Sequence, residues 1–482
     1  AFGHTVKEQE AYSSQLTHTR RELTSEDIAL EALREAGIDG SQELIHGRGG
    51  YPERLDWDRV TMNAMLANGA RLYVDHAHPE YSSPEVLTPL QAVLYDAAGD
   101  KIAYDSITEV AHHTDDNLPT IKLYKNNTDS KGQSYGAHEN YLISRDIPFE
   151  DVASTLLAFF ATRIIYTGAG RVGIGVNGEI PGFQISSRAD FFERPVGLET
   201  TIRRPIVNTR DEPHAQGDKW RRLHIIVADS NLSQAMTLFK VGSVDLLLDA
   251  IEHGQDFSDL TLANAPKAIR EVSKDLRGAT KVDLADGRRL GAAQIQGEFL
   301  ERLSQYAQTE LDLDPWQTQV LNIWRTCLTA ISGGDWEKVT HLVDWAAKKK
   351  LLQAYANRHQ LAPNDVRLKR LALAYHDLDP ASGLRTKLER SGALATFIDA
   401  NKANCPTAPA TTRAHLRGSL IEAAQGAGRL VKADWVNIKL EDGSAHQFEL
   451  LDPLANSDWR VDKLLSELQS SQIDPFWQGT GV

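Results

Sequence analysis

A short stretch around residue 75 concentrates side chains that can do acid–base or metal chemistry. Within it stand one cation, one phenol, two imidazoles and two carboxylates, at Arg71, Tyr73, Asp75, His76, His78 and Glu80. Because side chains alternate faces along a strand, a strand over 70–75 would put the first three of these on one face. Leu72 and Val74 would then face the core. The alternative is a half-exposed strand with an ordinary solvated polar face.

A second polar concentration covers residues 124–141, where Gly132 and Gly136 bracket a polar loop. In the strand that follows, His138 and Asn140 fall on one face because they are two residues apart. Taken alone, this pattern is typical of a long hairpin with turn-forming residues. Taken together with Asp75, it could close a site.

A third group supplies cations at Arg188 and Arg210, with His224 following along the chain. The planar fork of arginine suits bidentate capture of a phosphate or a carboxylate. Single surface arginines are usually only solvated. Carboxylates, neutral donors and arginines on neighbouring strands are nevertheless what a Mg²⁺–nucleotide site requires, since hard oxygen ligands hold the metal and cations balance the phosphates.

Three competing motifs are disfavoured. Residues 168–173 match G-x-G-x-x-G, but glycines and an Asn-Gly pair follow where a dinucleotide site needs a helix. His76 and His78 could bind zinc, yet no C-x-x-C or H-E-x-x-H accompanies them. No G-x-S-x-G elbow indicates a serine hydrolase. Cys327, in an apolar helical segment, is interpreted as a core thiol.

The elements that must position these residues change character along the chain. A helix is predicted over 24–37, and residues 69–230 have a strand-like texture. The strongest strand signals lie at 70–75, 120–124, 141–144, 182–186 and 222–228. Three- and four-residue apolar spacing predicts helices within 232–252, 296–309, 315–330 and 340–357. The fold class is therefore α+β, with a mainly antiparallel sheet backed by helices.

A composition change at 402–413, with small residues and two prolines, predicts a linker. The last seventy residues suggest a helix, strands over 435–440 and 447–451, and a final helix. We therefore expect a catalytic domain over 1–405 and a small C-terminal α+β domain over 412–482.

Composition narrows the classes of function. The chain has 482 residues, and 52 basic minus 66 acidic side chains leave a net charge of −14, which argues against a nucleic-acid coat. Its two cysteines, Cys327 and Cys405, exclude a disulfide framework. The sequence contains no run of eighteen apolar residues, so no membrane span is predicted. We expect a cytoplasmic protein with no membrane and no nucleic-acid partner.

Residues 69–82, 124–141 and 204–215 together resemble the Pup ligase/depupylase family. Its two branches attach and remove the prokaryotic ubiquitin-like protein Pup. The amino-acid sequence at 75–82, 182–185 and 189–193 is similar to that of the depupylase branch in particular. The resemblance implies a glutamine-synthetase-like curved sheet that cradles ATP and Mg²⁺, with a small C-terminal domain. It also implies Pup and pupylated proteins as partners, with the proteasomal ATPase ring as a further one.

The resemblance also assigns roles to individual residues. Asp75 matches the catalytic carboxylate, acting as nucleophile or base. Metal ligation is implied for Glu8, Glu10, Tyr73, Glu80 and His138. Nucleotide and phosphate contacts are implied for Arg71, Ser83, His138, Arg188, Arg210, His224 and Trp435, and Asn140 is predicted with them.

Some features depart from the family pattern. Around Glu8 and Glu10 the glutamate spacing is kept but both flanking glycines are lost, so these acids could equally be ordinary terminal charges. Ala137 replaces a usual cysteine, and the region 24–68 is short for a depupylase. The resemblance as a whole implies a depupylase that also deamidates the C-terminal Gln of Pup, and the short 24–68 region leaves the ligase open. The alternatives are a Pup–protein ligase and a non-catalytic relative that binds Pup or nucleotide.

Overall fold

The computed structural model describes residues 63–75, 78–113, 121–129, 132–199, 203–211, 214–404, 406–440 and 447–470. The helix predicted over 24–37 lies outside the described residues, as do Glu8, Glu10, His76 and Cys405.

Short strands dominate the first part of the described chain and reappear near its end. They are β1 (Asn63–Met65), β2 (Arg71–Asp75), β3 (His78–Ser82), β4 (Glu139–Ser144), β5 (Arg171–Ile174), β6 (Ile180–Gln184), β7 (Arg194–Gly197), β8 (Pro205–Asn208), β9 (Trp220–Ile225), β10 (Lys281–Asp283), β11 (Arg289–Gly291), β12 (Val431–Ala433), β13 (Asn437–Leu440) and β14 (Gln447–Glu449).

Helices fill most of the remainder. They are α1 (Pro89–His113), α2 (Phe149–Thr167), α3 (Gln234–Glu252), α4 (Ala265–Val272), α5 (Ala292–Glu310), α6 (Pro315–Ser332), α7 (Asp344–His359), α8 (Val366–Ala374), α9 (Leu384–Arg390), α10 (Ala400–Ala403), α11 (Arg413–Gly426) and α12 (Trp459–Ser470), with 3₁₀ turns at Ala189–Phe191, Ser258–Leu260 and Trp336–Val339. Among the described helices, none is long and apolar enough to cross a bilayer.

The strands pair mainly antiparallel, as expected. One sheet has the order β1-β2-β3 and a second has the order β4-β9-β8-β7. The pairing of β7 with β8 is parallel, which departs from the expected pattern. These two sheets carry several of the residues singled out for chemistry: Arg71, Tyr73, Asp75, Glu80, Asn140 and His224.

The strand-like texture predicted for 69–230 is wrong at α1 and α2, which are long helices. α2 is buried along nearly its whole length, including Phe159 and Phe160. A helix that is apolar on all sides has no amphipathic period to detect. The ring of Phe159 lies 5.2 Å from Phe299 and 5.7 Å from Trp324, so α2 is anchored by edge-to-face aromatic contacts with α5 and α6.

Several smaller boundaries also differ. The strand expected at 120–124 is absent from the described residues 121–124, where only an isolated bridge joins Tyr124 to Asp377. The strand β12 was not predicted, and β13 begins at Asn437 rather than Trp435. Residues 413–470, the C-terminal module, have an apolar core of their own that includes Leu416 and Phe448. The domain boundary itself stays a prediction, and Thr412 and Arg413 within the predicted linker are buried.

Candidate active site

The hairpin formed by β2 and β3 presents the first group of candidate residues. Its register places Tyr73 opposite Glu80 and Asp75 opposite His78. The Tyr73 hydroxyl donates to Glu80 Oε2 at 2.6 Å. Leu72 is buried, as the alternation predicted, whereas Val74 is only half-buried. Asp75 therefore ends a paired strand, directly beside the turn of the hairpin.

Burial and a neighbouring carboxylate keep the Tyr73 hydroxyl protonated. Burial and the neighbouring Glu80 carboxylate raise the pKa of Tyr73 far above its usual value, because both disfavour a phenolate. Tyr73 is therefore a hydrogen-bond donor at any physiological pH. The Arg71 guanidinium lies 4.8 Å from the centre of the Tyr73 ring, and its Nε donates to Asn63 Oδ1 at 2.6 Å. A cation, a phenol and a carboxylate are thus adjacent on one half-buried face.

The hairpin contacts the loop that precedes β4. The His78 ring lies 5.0 Å from the Tyr135 ring. The residue before it, Ser134, accepts a hydrogen bond at its hydroxyl from Arg188 and at its carbonyl from Arg204. A chain of direct contacts therefore links the Asp75 end of the hairpin with two arginines.

Arg188 occupies an unexpected environment. Its guanidinium is buried and donates to the main-chain carbonyls of Ile226 and Ala228. Burial, followed by the charge of Arg204, lowers the pKa of Arg188 to about 9. Nε and Nη1 of Arg188 thus donate to the chain itself, and its contact with a phosphate stays a prediction.

His138, Asn140 and His224 come together across two neighbouring strands. Asn140 on β4 is in register with His224 on β9, and His224 Nδ1 lies 2.8 Å from Asn140 Oδ1. The His138 and His224 rings meet edge to face at 4.9 Å. Desolvation by the surrounding protein and then the nearby His224 lower the pKa of His138 well below its usual value. His138 is therefore neutral at pH 7, the form in which an imidazole can bind a metal.

The remaining predicted residues lie around this group. Arg210 is exposed just after β8, and its charge contributes to the lowered pKa of His138. Ser83 follows β3 directly and is half-buried. Trp435 precedes β13, and the Arg417 guanidinium lies 5.1 Å from the centre of its ring. The structure thus brings the histidines and Arg210 near one another, with Ser83 adjoining the hairpin.

Sequence reasoning missed Arg204 and Tyr135, which connect the hairpin to the arginines. Both stand in the stretches that carried the family resemblance, so their position was visible but their contacts were not. Among the described residues no group of three or more His, Cys, Asp or Glu side chains is arranged to hold a metal ion. Glu80 does offer a carboxylate of the kind that Mg²⁺ prefers, and the Tyr73 hydroxyl holds it in place.

Comparison with known proteins identifies relatives of both functional kinds. A family model described as Pup-ligase protein matches residues 2–439. A depupylase of Acidothermus cellulolyticus is 42% identical over 87% of this chain and 84% of its own length. A Pup deamidase/depupylase of Mycolicibacterium smegmatis is 39% identical over 96% of this chain and 92% of its own. A Pup–protein ligase of Renibacterium salmoninarum is 42% identical over 86% of this chain and 90% of its own.

Two solved structures share the fold. The Pup ligase PafA in complex with ADP superposes with a TM-score of 0.79 and 34% identity, over 89% of this chain and 98% of that one. The complex of Pup with PafA superposes with a TM-score of 0.82 and 34% identity, over 94% of this chain and 89% of the other. The predicted fold class, α+β of the glutamine-synthetase-like kind, is confirmed.

Proposed function

The chain belongs to the Pup-ligase protein family, and we propose that it is an ATP- and Mg²⁺-dependent depupylase. It would hydrolyse the isopeptide bond between Pup and substrate lysines and convert the C-terminal Gln of Pup to Glu. The observation that carries the proposal is the hairpin geometry, in which Asp75 ends β2 opposite His78, next to the loop held by Arg188 and Arg204. The long match to the deamidase/depupylase, over 96% of this chain, supports the hydrolytic branch.

Amide hydrolysis needs a nucleophile or base and a counter-charge for the developing oxyanion. We assign the first role to Asp75, which attacks the amide carbon or takes a proton from the attacking water. Where Asp75 acts as base, the proton it takes from water passes to the leaving lysine amine or ammonia as the C–N bond breaks. Where Asp75 attacks, breaking of the C–N bond leaves an anhydride on Asp75, the amine takes a proton from solvent, and water then hydrolyses the anhydride and restores the carboxylate. Arg210 and the hydrogen-bonding Tyr73 would stabilise negative charge.

The residues present fit a Mg²⁺–nucleotide. Arg71, Ser83, Asn140, His224 and Trp435 would hold the nucleotide; Tyr73, Glu80 and His138 would approach the metal, with Glu8 and Glu10 as further predicted ligands. When bound, the metal and phosphates supply a fixed charge beside Asp75. Nucleotide binding is supported by the ADP complex of PafA, and Pup as partner by the PafA–Pup complex.

The second candidate is a Pup–protein ligase, in which Asp75 would be the base for a substrate lysine. It is favoured by the superposition on PafA, which covers 94% of the chain. Incubation with a pupylated substrate, ATP and Mg²⁺ separates the two. Loss of the conjugate without stoichiometric ADP supports the depupylase, whereas formation of conjugate from Glu-ended Pup with ADP release supports the ligase. The third hypothesis, a non-catalytic relative, predicts nucleotide or Pup binding with neither reaction.

The decisive variant is Asp75→Asn, which is nearly isosteric. We expect it to abolish conjugate cleavage while ATP still binds, because the amide can neither attack carbon nor take a proton. The matched control is Asp312→Asn, an exposed aspartate between α5 and α6, which should cleave like the wild type. Substantial turnover by the Asp75 variant would contradict the assignment. Contact with the proteasomal ATPase ring and a cytoplasmic location stay predictions.

A further inference from the structure

A buried ion-pair cluster joins the end of the catalytic hairpin to the C-terminal module. Glu85, just beyond β3, accepts at Oε1 from Arg413 Nε at 2.7 Å and at Oε2 from Arg417 at 2.6 Å. The two arginines stand one turn apart on α11, and their side chains are 3% and 0% exposed. One carboxylate therefore forms ion pairs with two guanidinium groups. Their charges lower the pKa of Glu85 to about 2, although burial alone would raise it.

Arg417 also contacts two other residues, Gly69 and Trp435. It donates to the Gly69 carbonyl at 2.7 Å, on the turn that leads into β2. It also donates to the Trp435 carbonyl at 3.1 Å, and its guanidinium lies 5.1 Å from the centre of the Trp435 ring. One fully buried side chain thus contacts the segment before β2, the segment after β3 and the tryptophan of the module.

Close packing of α11 on the turn before β2 makes this arrangement stiff. A Cβ at Gly418 would lie 2.3 Å from the Ala67 carbonyl oxygen. Gly69 has φ +80°, and a Cβ there would lie 2.9 Å from the Ala414 Cβ. Only glycine fits at either position, because a side chain would push the helix away from the turn.

We propose that Arg417 is a positioning residue through which the C-terminal module fixes the catalytic hairpin relative to Trp435. This inference rests on the proposed function, in which Arg71, Ser83 and Trp435 contact the nucleotide. Gly69 lies two residues before Arg71, and Glu85 lies two residues after Ser83. The Arg417 guanidinium therefore bonds to the chain just before and just after the hairpin. Arg413 instead ties Glu85 to the carbonyls of His214 and Leu450.

The test uses Arg417→Lys in the full chain, which keeps the charge but loses the fork that reaches several partners at once. Binding of a fluorescent ATP analogue should weaken about tenfold, the change expected for losing a charge-assisted hydrogen bond. The KM for ATP in conjugate cleavage should rise by the same factor. Because the effect passes through Trp435, adding Arg417→Lys to Trp435→Ala should weaken binding by less than the product of the two single effects.

The matched control is Arg460→Lys in the same module, where an arginine also pairs with a carboxylate, Asp458, and lies over an aromatic ring, Phe448. It should bind the nucleotide like the wild type. Glu85→Gln, which removes the charge that both arginines share, is measured in parallel should Arg417→Lys not fold. Unchanged affinity in a folded variant, or independent effects with Trp435→Ala, would overturn the inference.

Two further outcomes separate the inference from the proposed function. If the wild type binds nucleotide and shows the coupling but cleaves no conjugate, the depupylase proposal fails and the positioning role stands. A wild type that binds no nucleotide contradicts both. If neither Arg417→Lys nor Glu85→Gln folds, as judged by circular dichroism, the cluster is structural only and the inference is overturned.

Discussion

The hairpin of β2 and β3 and the polar interior around Asp229 and Arg188 satisfy their hydrogen bonds in different ways. In the hairpin, side chains bond to side chains, as Tyr73 does to Glu80 on a half-buried face. In the interior, side chains bond mainly to the main chain. The Asp229 carboxylate accepts from the backbone N–H groups of Ala169 and Ser187, and Arg188 donates to two carbonyls.

This difference separates the residues that hold the fold from those free to take part in chemistry. Asp229 and Arg188 connect the ends of α2, β6 and β9, since their partners lie just beyond each element. Such bonds fix where the arginines and histidines of the site sit. The hairpin pair, in contrast, can change partners without releasing any backbone group. Substitutions in the two regions should therefore have different balances of stability and activity.

The largest effect on stability is expected for Asp229→Asn. Both backbone donors point at Asp229 Oδ2, at 2.7 Å, and the Ser186 hydroxyl donates to Oδ1 at 2.9 Å. Asn supplies only one acceptor oxygen, so at least one buried donor loses its bond. We expect a loss of about 2–4 kcal/mol in the free energy of unfolding, measured by urea titration. Asp312→Asn, on the surface, serves as the control. An equally small loss of stability in both variants would contradict the role of Asp229 in connecting the ends of α2 and β6.

A smaller stability effect, with a larger share falling on activity, is expected for Tyr73→Phe. The substitution removes one half-buried hydroxyl and should cost about 1 kcal/mol of stability. It also frees Glu80, and losing a group that orients a metal ligand typically costs roughly 10–100-fold in activity or metal affinity. Conjugate cleavage at several Mg²⁺ concentrations measures this. The matched control is Tyr355→Phe on α7, and a Tyr73 variant with wild-type cleavage would place the hairpin pair outside the site.

The sequence predicted strand β2 of the hairpin, but not its partner β3 or the contacts of the interior, for a physical reason. Strand β2 follows from alternation within five residues, a local pattern. The inward turn of Arg188 depends on carbonyls 38 and 40 residues away, and no local pattern records that. The neighbouring positions of His138 and His224 depend likewise on the register of β4 with β9. Helix α2 was missed because burial on most sides removes the apolar–polar contrast on which periodicity relies.

The smallest effect concerns a second pair in the interior, Lys348 and His376. Lys348 Nζ lies 2.7 Å from His376 Nε2, and His376 Nδ1 lies 2.7 Å from the Lys125 carbonyl, so Nδ1 is the donor and Nε2 the acceptor. Burial, and then the Lys348 charge, lower the pKa of His376 well below its usual value. Burial also lowers the pKa of Lys348, to about 8.

The sign of the pH dependence follows from these directions. Below about pH 6.5 the unfolded chain takes up a proton at this histidine while the folded protein does not, so stability falls as the pH falls. We expect His376→Gln to melt at a lower temperature than the wild type at pH 7, yet to lose less on going to pH 5. His341→Gln, exposed on the surface, should keep the wild-type dependence. If the wild type and the His376 variant lose equal stability between pH 7 and pH 5, the interior pair does not titrate in this way. The contrast with the hairpin would then rest on main-chain hydrogen bonding alone.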